Sequence, residues 1–571
     1  MEAPLLINGG NTKRLEAENG DYAAVKTVRE AVSVFKEESG MLWKIAGPLV
    51  FNILCQYGTG SLTNIFAGHI GELQLSAISI SLSVINSFAF GFLLGMGSAL
   101  ETLCGQAFGA GQVHMLGIYL QRSWIILLLS CLLLMPIFIF AAPLLKLLGQ
   151  DHDVADLAAQ FTILTIPSVF ALAIIFPTQK FLQAQSKVDV MAWIGFLVLI
   201  EHAVLLWLFI SVFGWGLEGA AAANNIARWV TAISQVVYVF GWCKDAWKGF
   251  SWAAFKDMWA FVKLSVASAV MLCLEIWYMM SIMLLAGHLP NAVITIGSLS
   301  ICMNVNGLQA MIFIGINAAV SVRVSNELGF QHPRATRYSV YVAVFQSLII
   351  GLLCMALILV TRDYFSVIYT DSKELQQAVS KLAWLLGVTM VLNSVQPVIS
   401  GVAIGGGWQA TVANINLVCY YAFGLPLGYI LGYVADFGVM GLWGGMIAGT
   451  LLQTFILLFI LYRTNWNKEV EETSSRMQKW VRDGIRKFTR VKSPKSKFNT
   501  NLFQVRICQL QPVAVSLNQL SRKQSFKIHT SWISAKNADS SLTQTNPDPG
   551  LLSHYGSSHV PSLLVSPHPS T

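Results

Sequence analysis

The chain of 571 residues is 55% hydrophobic, while Asp, Glu, Lys and Arg together make up only 12%, about half of the 25% usual in soluble domains. With a mean hydropathy of +0.59, such a composition cannot clothe a water-facing surface, which excludes small soluble-enzyme folds. The formal charge of +8 lies mostly in short loops and the tail, which suits lipid headgroups and argues against a nucleic-acid partner.

Residues 1–42 carry Glu2, Glu16, Glu18, Asp21, Lys26, Arg29 and Glu37 without an apolar core, so a cytosolic segment and no cleavable signal peptide are expected. Within it, Glu2-Ala-Pro-Leu-Leu-Ile7 matches an acidic dileucine sorting signal. From Trp43 onward, apolar windows of about 20 residues, enough to cross roughly 30 Å of hydrocarbon, recur with short interruptions. They fall near 43–66, 75–103, 119–143, 158–179, 189–213 and 217–241, then 259–286, 292–321, 338–361, 376–402, 411–433 and 438–462. The expected fold is all-α and integral to a membrane, because a closed barrel needs short alternating segments instead of continuous apolar runs.

Even-numbered connections and the termini hold Lys180, Lys187, Lys244, Lys248, Lys256, Arg323, Arg334, Arg337 and Arg463, whereas the odd-numbered ones hold few beyond Lys146, Arg362 and Lys373, so both termini are expected in the cytosol. Residues 242–258, with Trp242, Trp247, Phe250, Trp252 and Phe255 among lysines, read as an interfacial linker. After the twelfth span comes a cytosolic tail, 463–571, with a charged helix over Glu469–Arg490 and a Ser-, Pro- and Asn-rich remainder expected to be disordered. The nine cysteines form no CxxC pair and have no His at ligand spacing, so no metal and no cofactor is expected.

An internal repeat organises the spans. Ala67-Gly-His-Ile70 recurs as Ala286-Gly-His-Leu289, and Lys44 before the first span matches Lys263 before the seventh. Gly95, Ala99 and Gly109 find counterparts in Gly315, Ala319 and Gly329, and Gly216 and Gly219 in Gly438 and Gly441. The chain therefore reads as two six-helix bundles, 43–241 and 259–462, related by a pseudo-twofold axis along the membrane normal. Two similar halves around a cleft describe a carrier better than an enzyme.

Within that frame, several stretches resemble the multidrug and toxic compound extrusion (MATE) family, in its plant DETOXIFICATION branch. They are Gly95-Met-Gly-Ser-Ala-Leu-Glu-Thr-Leu-Cys-Gly-Gln-Ala-Phe-Gly-Ala-Gly111, Gln121-Arg-Ser-Trp124, Lys180-Phe-Leu-Gln-Ala-Gln185, Ala319-Val-Ser-Val-Arg-Val-Ser-Asn-Glu-Leu-Gly329, Asn393-Ser-Val-Gln-Pro-Val-Ile-Ser-Gly-Val-Ala-Ile-Gly-Gly-Gly-Trp-Gln409 and Asn465-Trp-Asn-Lys-Glu-Val470. The resemblance implies a monomeric antiporter exchanging a small organic solute against protons, with sodium as the less favoured ion. It is nearest to flavonoid-transporter-like vacuolar members, which favours the vacuolar membrane over the plasma membrane. The chain departs from the family at three places: Thr63 where many bacterial members carry an acid, Asn393 where plant relatives often have Asp, and Asn304 where animal relatives have Glu.

An ionisable residue at the bilayer centre costs about 2.5–3.5 kcal/mol on insertion scales, so each one present needs a reason. Glu275, deep in the seventh span with Tyr278 on its face at i+3, is the principal candidate to alternate between proton and solute, and it matches the family's acidic position there. Asn304, Asn306, Gln309, Asn393, Gln396 and a kink at Pro397 are expected beside it; Asn52 and Gln56, one turn apart, are expected to line the other half. Glu101 and Arg323 are candidates for an ion pair between halves or for snorkelling charges. Glu201 and His202 read better as a polar pair between helices than as a proton relay, and Arg228 as a partner for an acid or a cavity charge attracting an anion. Trp277, Tyr278, Trp384 and Tyr420 are set aside as ordinary interface aromatics before solute-stacking ones. The reading that follows is a proton-coupled antiporter of flavonoids, other secondary metabolites or xenobiotics, with an anion channel or uniporter as the alternative. No HExxH, nucleophile elbow or phosphate loop supports an enzyme.

Overall fold

A computed structural model describes residues 20–256, 258–286, 289 and 292–477, with the side chains of 283, 284, 292 and 293 left aside. The dileucine segment, His288 and everything beyond 477 lie outside the described residues. Twelve long helices fill most of the rest: α1 (Val28–Ile70), α2 (Glu72–Gly109), α3 (Val113–Ile139), α4 (Ile166–Ala184), α5 (Asp189–Val212) and α6 (Gly216–Trp242), then α7 (Met258–Ala286), α8 (Ala292–Gly329), α9 (Pro333–Val360), α10 (Lys373–Gly406), α11 (Gln409–Val434) and α12 (Gly438–Arg463). Ten are long and apolar enough to cross a membrane. The other two are α1, with its charged first turns, and α6, which carries Asn224, Asn225 and Arg228. No extended strand occurs among the described residues.

Local chemistry explains the helix boundaries. Thr27 and Glu30 form a capping box at the start of α1, each side chain accepting from the other residue's backbone N–H at 3.3 Å. The fourth span starts later than expected, because a separate short helix, His152–Leu164, ends at Thr165 and Pro167 opens the next. Proline also sits inside α10, yet that helix runs without a break from Lys373 to Gly406, and Asn317 of α8 donates to the Pro397 carbonyl at 2.5 Å. The outer surface is apolar, as lipid requires: Leu132, Leu133, Leu353 and Leu357 are all more than half exposed.

Helices α1–α6 and α7–α12 form two bundles that meet through α1 and α2 on one side and α7 and α8 on the other. The interface obeys the repeat. Gly95 of α2 lies against the backbone of Ala269 in α7, and its counterpart Gly315 of α8 lies against the backbone of Val50 in α1. On the axis itself, Gly109 and Gly329 face each other: a side chain on Gly109 would meet the Asn326 carbonyl and the Gly329 Cα, and one on Gly329 the Gln106 carbonyl and the Gly109 Cα. Small residues let two membrane helices approach to backbone contact.

Polar contacts close this end of the molecule. Thr102 donates to the Ile404 carbonyl, Gln106 to the Gly405 carbonyl at 3.1 Å, and Gln409 back to Thr102 at 2.8 Å, all between α2 and the α10–α11 turn. Arg323 of α8 pairs with Glu38 of α1 at 3.1 Å and with Glu327 at 2.8 Å. The chain after α12 lies across the same end: Trp466 stands 5.9 Å from Trp408, whose indole donates to Glu469, and Arg476 donates to the Gly406 carbonyl. Beside it, the linker is held by Gln121, which donates to Gly249 and accepts from Ser251, and by Arg122, which donates to Ala253. Phe250, Trp252 and Trp259 are all more than three-quarters exposed, as an interfacial segment would present them.

The axial crossing has a direct test. Gly329→Ala is expected to lower thermal stability by about 1–3 kcal/mol through overpacking. Gly241→Ala, which meets only open space, should leave the unfolding midpoint unchanged or raise it. Equal midpoints for the two variants would contradict the close crossing.

Candidate functional site

Each half contains its own polar cluster at mid-membrane depth. In the carboxyl-terminal half, Glu275 lies 17 residues into α7, about 25 Å from its start at 1.5 Å per residue. Its carboxylate is half-buried and accepts from Gln396 of α10 at 2.5 Å and from Asn416 of α11 at 3.5 Å. Asn416 is itself held by Gln453 of α12 at 3.0 Å, and Gln396 also donates to Ser400 at 3.2 Å. Four helices thus steady one carboxylate with neutral amides, and no Lys, Arg or His pairs with it among the described residues. One turn along α7, Met279 borders a small cavity with Thr389, Asn393, Met446 and Thr450. Asn393 donates to Asn306 at 3.2 Å on its rim, and Gln309 to the Met390 carbonyl at 3.0 Å.

In the amino-terminal half, a narrow cavity is lined by Asn52, Gln56 and Thr59 of α1, Gly195 of α5, and Asn224, Arg228 and Thr231 of α6. Arg228 sits 12 residues from the start of α6 and 14 from its end, about 18 and 21 Å at 1.5 Å per residue. Neither end is within reach of its guanidinium. Among the described residues it has no acidic partner, and Asn52, Gln56 and Asn224 have no side-chain hydrogen bonds. Behind the cavity, His202 is fully buried and bonded to Thr63 at 2.9 Å.

The repeat relates the two clusters and shows how they differ. The register that takes Lys44 to Lys263 takes Gln56 to Glu275, and the register that takes Gly216 to Gly438 takes Arg228 to Thr450 and Asn224 to Met446. Equivalent places in the two halves thus carry an acid opposite a hydroxyl in one, and an amide opposite a cation in the other. Carrying the repeat register through every span would have exposed this asymmetry from sequence. The roles of Asn416 and Gln453 had a weaker signal, isolated amides within apolar runs.

Several expected groupings come out differently. Tyr278 does not line the cavity: it is fully buried, stacked on Tyr420 at 4.4 Å, with its hydroxyl donating to the Met446 carbonyl at 3.2 Å. At 3.6 residues per turn Tyr278 lies about 60° round α7 from Glu275, on the side away from Met279, and is wall and not lining. Asn304 is exposed and donates to Ser300 on its own helix at 2.9 Å, so the patch around Asn393 forms without it. Glu101 does not pair with Arg323. It is buried against Lys180 of the same half at 2.6 Å, and Arg323 reaches across to Glu38 instead, which sequence reasoning missed because Glu38 precedes the first apolar window. Glu201 is half-buried, takes no partner among the described residues and stays off the cavity, while adjacent His202 turns to Thr63. Trp277 stacks on Phe88 across the two halves at 5.6 Å, and Trp384 is 54% exposed.

Comparison with known proteins gives this architecture its family. The MatE family model matches residues 48–208 and 267–430, more than half of the chain. Protein DETOXIFICATION 35 of Arabidopsis thaliana is 67% identical over 478 residues, covering 84% of this chain and 97% of the relative. Protein DETOXIFICATION 34 of the same plant is 63% identical over 480 residues, covering 84% and 88%. The crystal structure of the eukaryotic MATE transporter AtDTX14 superposes with a TM-score of 0.75 at 32% identity, over 78% of this chain and 99% of that one. The bent form of the Vibrio cholerae MATE transporter VcmN, 17% identical with a TM-score of 0.67 over 77% and 99%, shares the fold. With its paired six-helix bundles and these relatives, the chain belongs to the MATE family, in its plant DETOXIFICATION branch, and is a multi-pass membrane transporter of organic solutes.

Proposed function

We propose that the protein is a proton-coupled antiporter that moves flavonoids, other secondary metabolites or xenobiotics across the vacuolar membrane, with both termini in the cytosol. The plasma membrane is the alternative site. Its moving units are the halves 43–241 and 259–462, joined by the linker 242–258. The observation that carries this reading is Glu275, a mid-membrane carboxylate with neutral amide donors and no cation. A charge there stays uncompensated until a proton or a polar group of a solute arrives. Competition of the two for one carboxylate is the simplest chemistry of exchange: loading the solute requires the proton to leave.

Alternating access needs one end closed while the other opens. The contacts of Thr102, Gln106 and Gln409 and the Glu38–Arg323 pair support a state closed on the side of the amino terminus. A second reading, an anion channel or uniporter, draws on Arg228, a cation without an acid in the amino-terminal half.

Glu275→Gln is expected to abolish uphill solute uptake driven by a pH gradient in proteoliposomes, at unchanged protein level. Uptake persisting at the wild-type rate would overturn the coupling role, and anion current indifferent to pH and to this substitution would establish the channel reading. Gln396→Leu removes one hydrogen bond to a charged group, worth about 1.5–3 kcal/mol, and should slow exchange on the order of 10- to 100-fold. An unchanged rate in that variant would mean that the amide plays no part in steadying the carboxylate.

A further inference from the structure

We propose that the narrow cavity inside the amino-terminal half is a binding subsite for one anionic group, with Arg228 supplying the charge and Asn52, Gln56 and Asn224 the neutral donors. Arg228 lies in the middle of α6, too far from either end to snorkel. A part-buried cation at this depth is tolerated where something of opposite charge meets it, and no acid on α1, α5 or α6 does so among the described residues. The polar part of the lining consists of the amides of Asn52, Gln56 and Asn224, which make no side-chain hydrogen bonds among the described residues, and the hydroxyls of Thr59 and Thr231. Amide N–H groups and a guanidinium fork together form the donor set that recognises a carboxylate.

Two further observations point to a ligand. The equivalent place in the other half is Thr450, so the repeat itself does not demand a cation at this depth. Room for the donors is also built in: a side chain on Gly195 would run into the Asn52 carboxamide, so glycine there lets Asn52 face the cavity. The cavity is narrow and its remaining wall is Cys55, Ile175, Val198 and Ala227. Its free volume of about 20 Å³, room for little more than one water-sized group, keeps the body of an organic solute outside, so that only a small terminal anionic group could approach the guanidinium. The solutes selected would then be amphipathic organic anions, aromatic or aliphatic acids among them. What the bound anion does next rests on the antiport reading; the binding itself does not.

The full chain, purified in detergent and kept without any gradient, is titrated with sodium benzoate, with neutral benzamide and with sodium chloride while thermal unfolding is followed. Benzoate is expected to raise the wild-type midpoint saturably and benzamide to leave it unchanged. Arg228→Gln should weaken the benzoate effect at least about tenfold, whereas Arg228→Lys, which keeps the charge but loses the planar fork, should retain only part of it. Asn224→Asp places a carboxylate of the protein beside the guanidinium and should abolish the benzoate effect; this variant decides the matter if Arg228→Gln fails to fold. A saturable shift with chloride alone would assign the site to a free halide and overturn the organic-acid assignment. No shift in the wild type, or one that survives both Arg228→Gln and Asn224→Asp, would overturn the subsite. Because no gradient is applied, such a failure leaves coupling at Glu275 standing, and loss of coupling in flux assays leaves the binding result standing.

Discussion

The intolerance of hydrocarbon for an uncompensated charge governs this molecule. Across the twelve helices most polar groups deep in the spans are neutral, and many bond to their own or a neighbouring helix, as in Thr231 to Ala227 or Asn317 to Pro397. Glu275 and Arg228 stand out as charges set beside amides, one in each half and of opposite sign, whereas Glu201, midway along α5, takes no partner among the described residues and lies off the cavity. Glu275 and Arg228 are each surrounded by amides instead of a counter-ion. Structural ion pairs are present elsewhere, at Glu101–Lys180 and Glu38–Arg323, and these lie toward the helix ends. In the proposed mechanism this contrast separates charges that hold the fold from charges kept available for a proton or a solute.

The repeat makes such a division possible. Two bundles built to one plan give a symmetric interface, in which Gly95 on Ala269 is matched by Gly315 on Val50 and the glycines at 109 and 329 meet on the axis. Backbone contact at these points fixes how the halves approach at the end closed by Thr102, Gln106 and the α10–α11 turn. The interiors of the two bundles are then free to diverge, because interface packing constrains the outward-facing positions and not the cavities. Gln56 against Glu275, and Arg228 against Thr450, are that divergence.

Much of the fold was legible in the sequence, because apolar length and short polar interruptions are dictated by bilayer thickness. The repeat was legible from glycines, whose positions are set by close approach. The one displaced span, at Ile166–Ala184, reflects a break at Thr165–Pro167 inside an apolar stretch that hydropathy averages over. The site was less legible. Glu275 and Gln396 could be singled out as candidates because polar residues in apolar spans are costly, and the two are hydrogen-bonded, but helical spacing alone could not say that Tyr278 is buried by Tyr420 or that Asn304 turns to its own helix. Partners chosen across helices, such as Glu38 for Arg323 and Lys180 for Glu101, depend on tertiary register, which a single chain does not display.

The claim that one half handles the proton and the other an anionic group is tested most directly by following both at once. Proteoliposomes loaded with a pH-sensitive dye would be given an external aromatic acid at zero membrane potential, and proton and solute movement recorded together. Solute entry is expected to drive protons in the opposite direction, at a fixed ratio. Solute or chloride movement with no accompanying proton flux, and a reversal potential that follows the anion gradient alone, would contradict it.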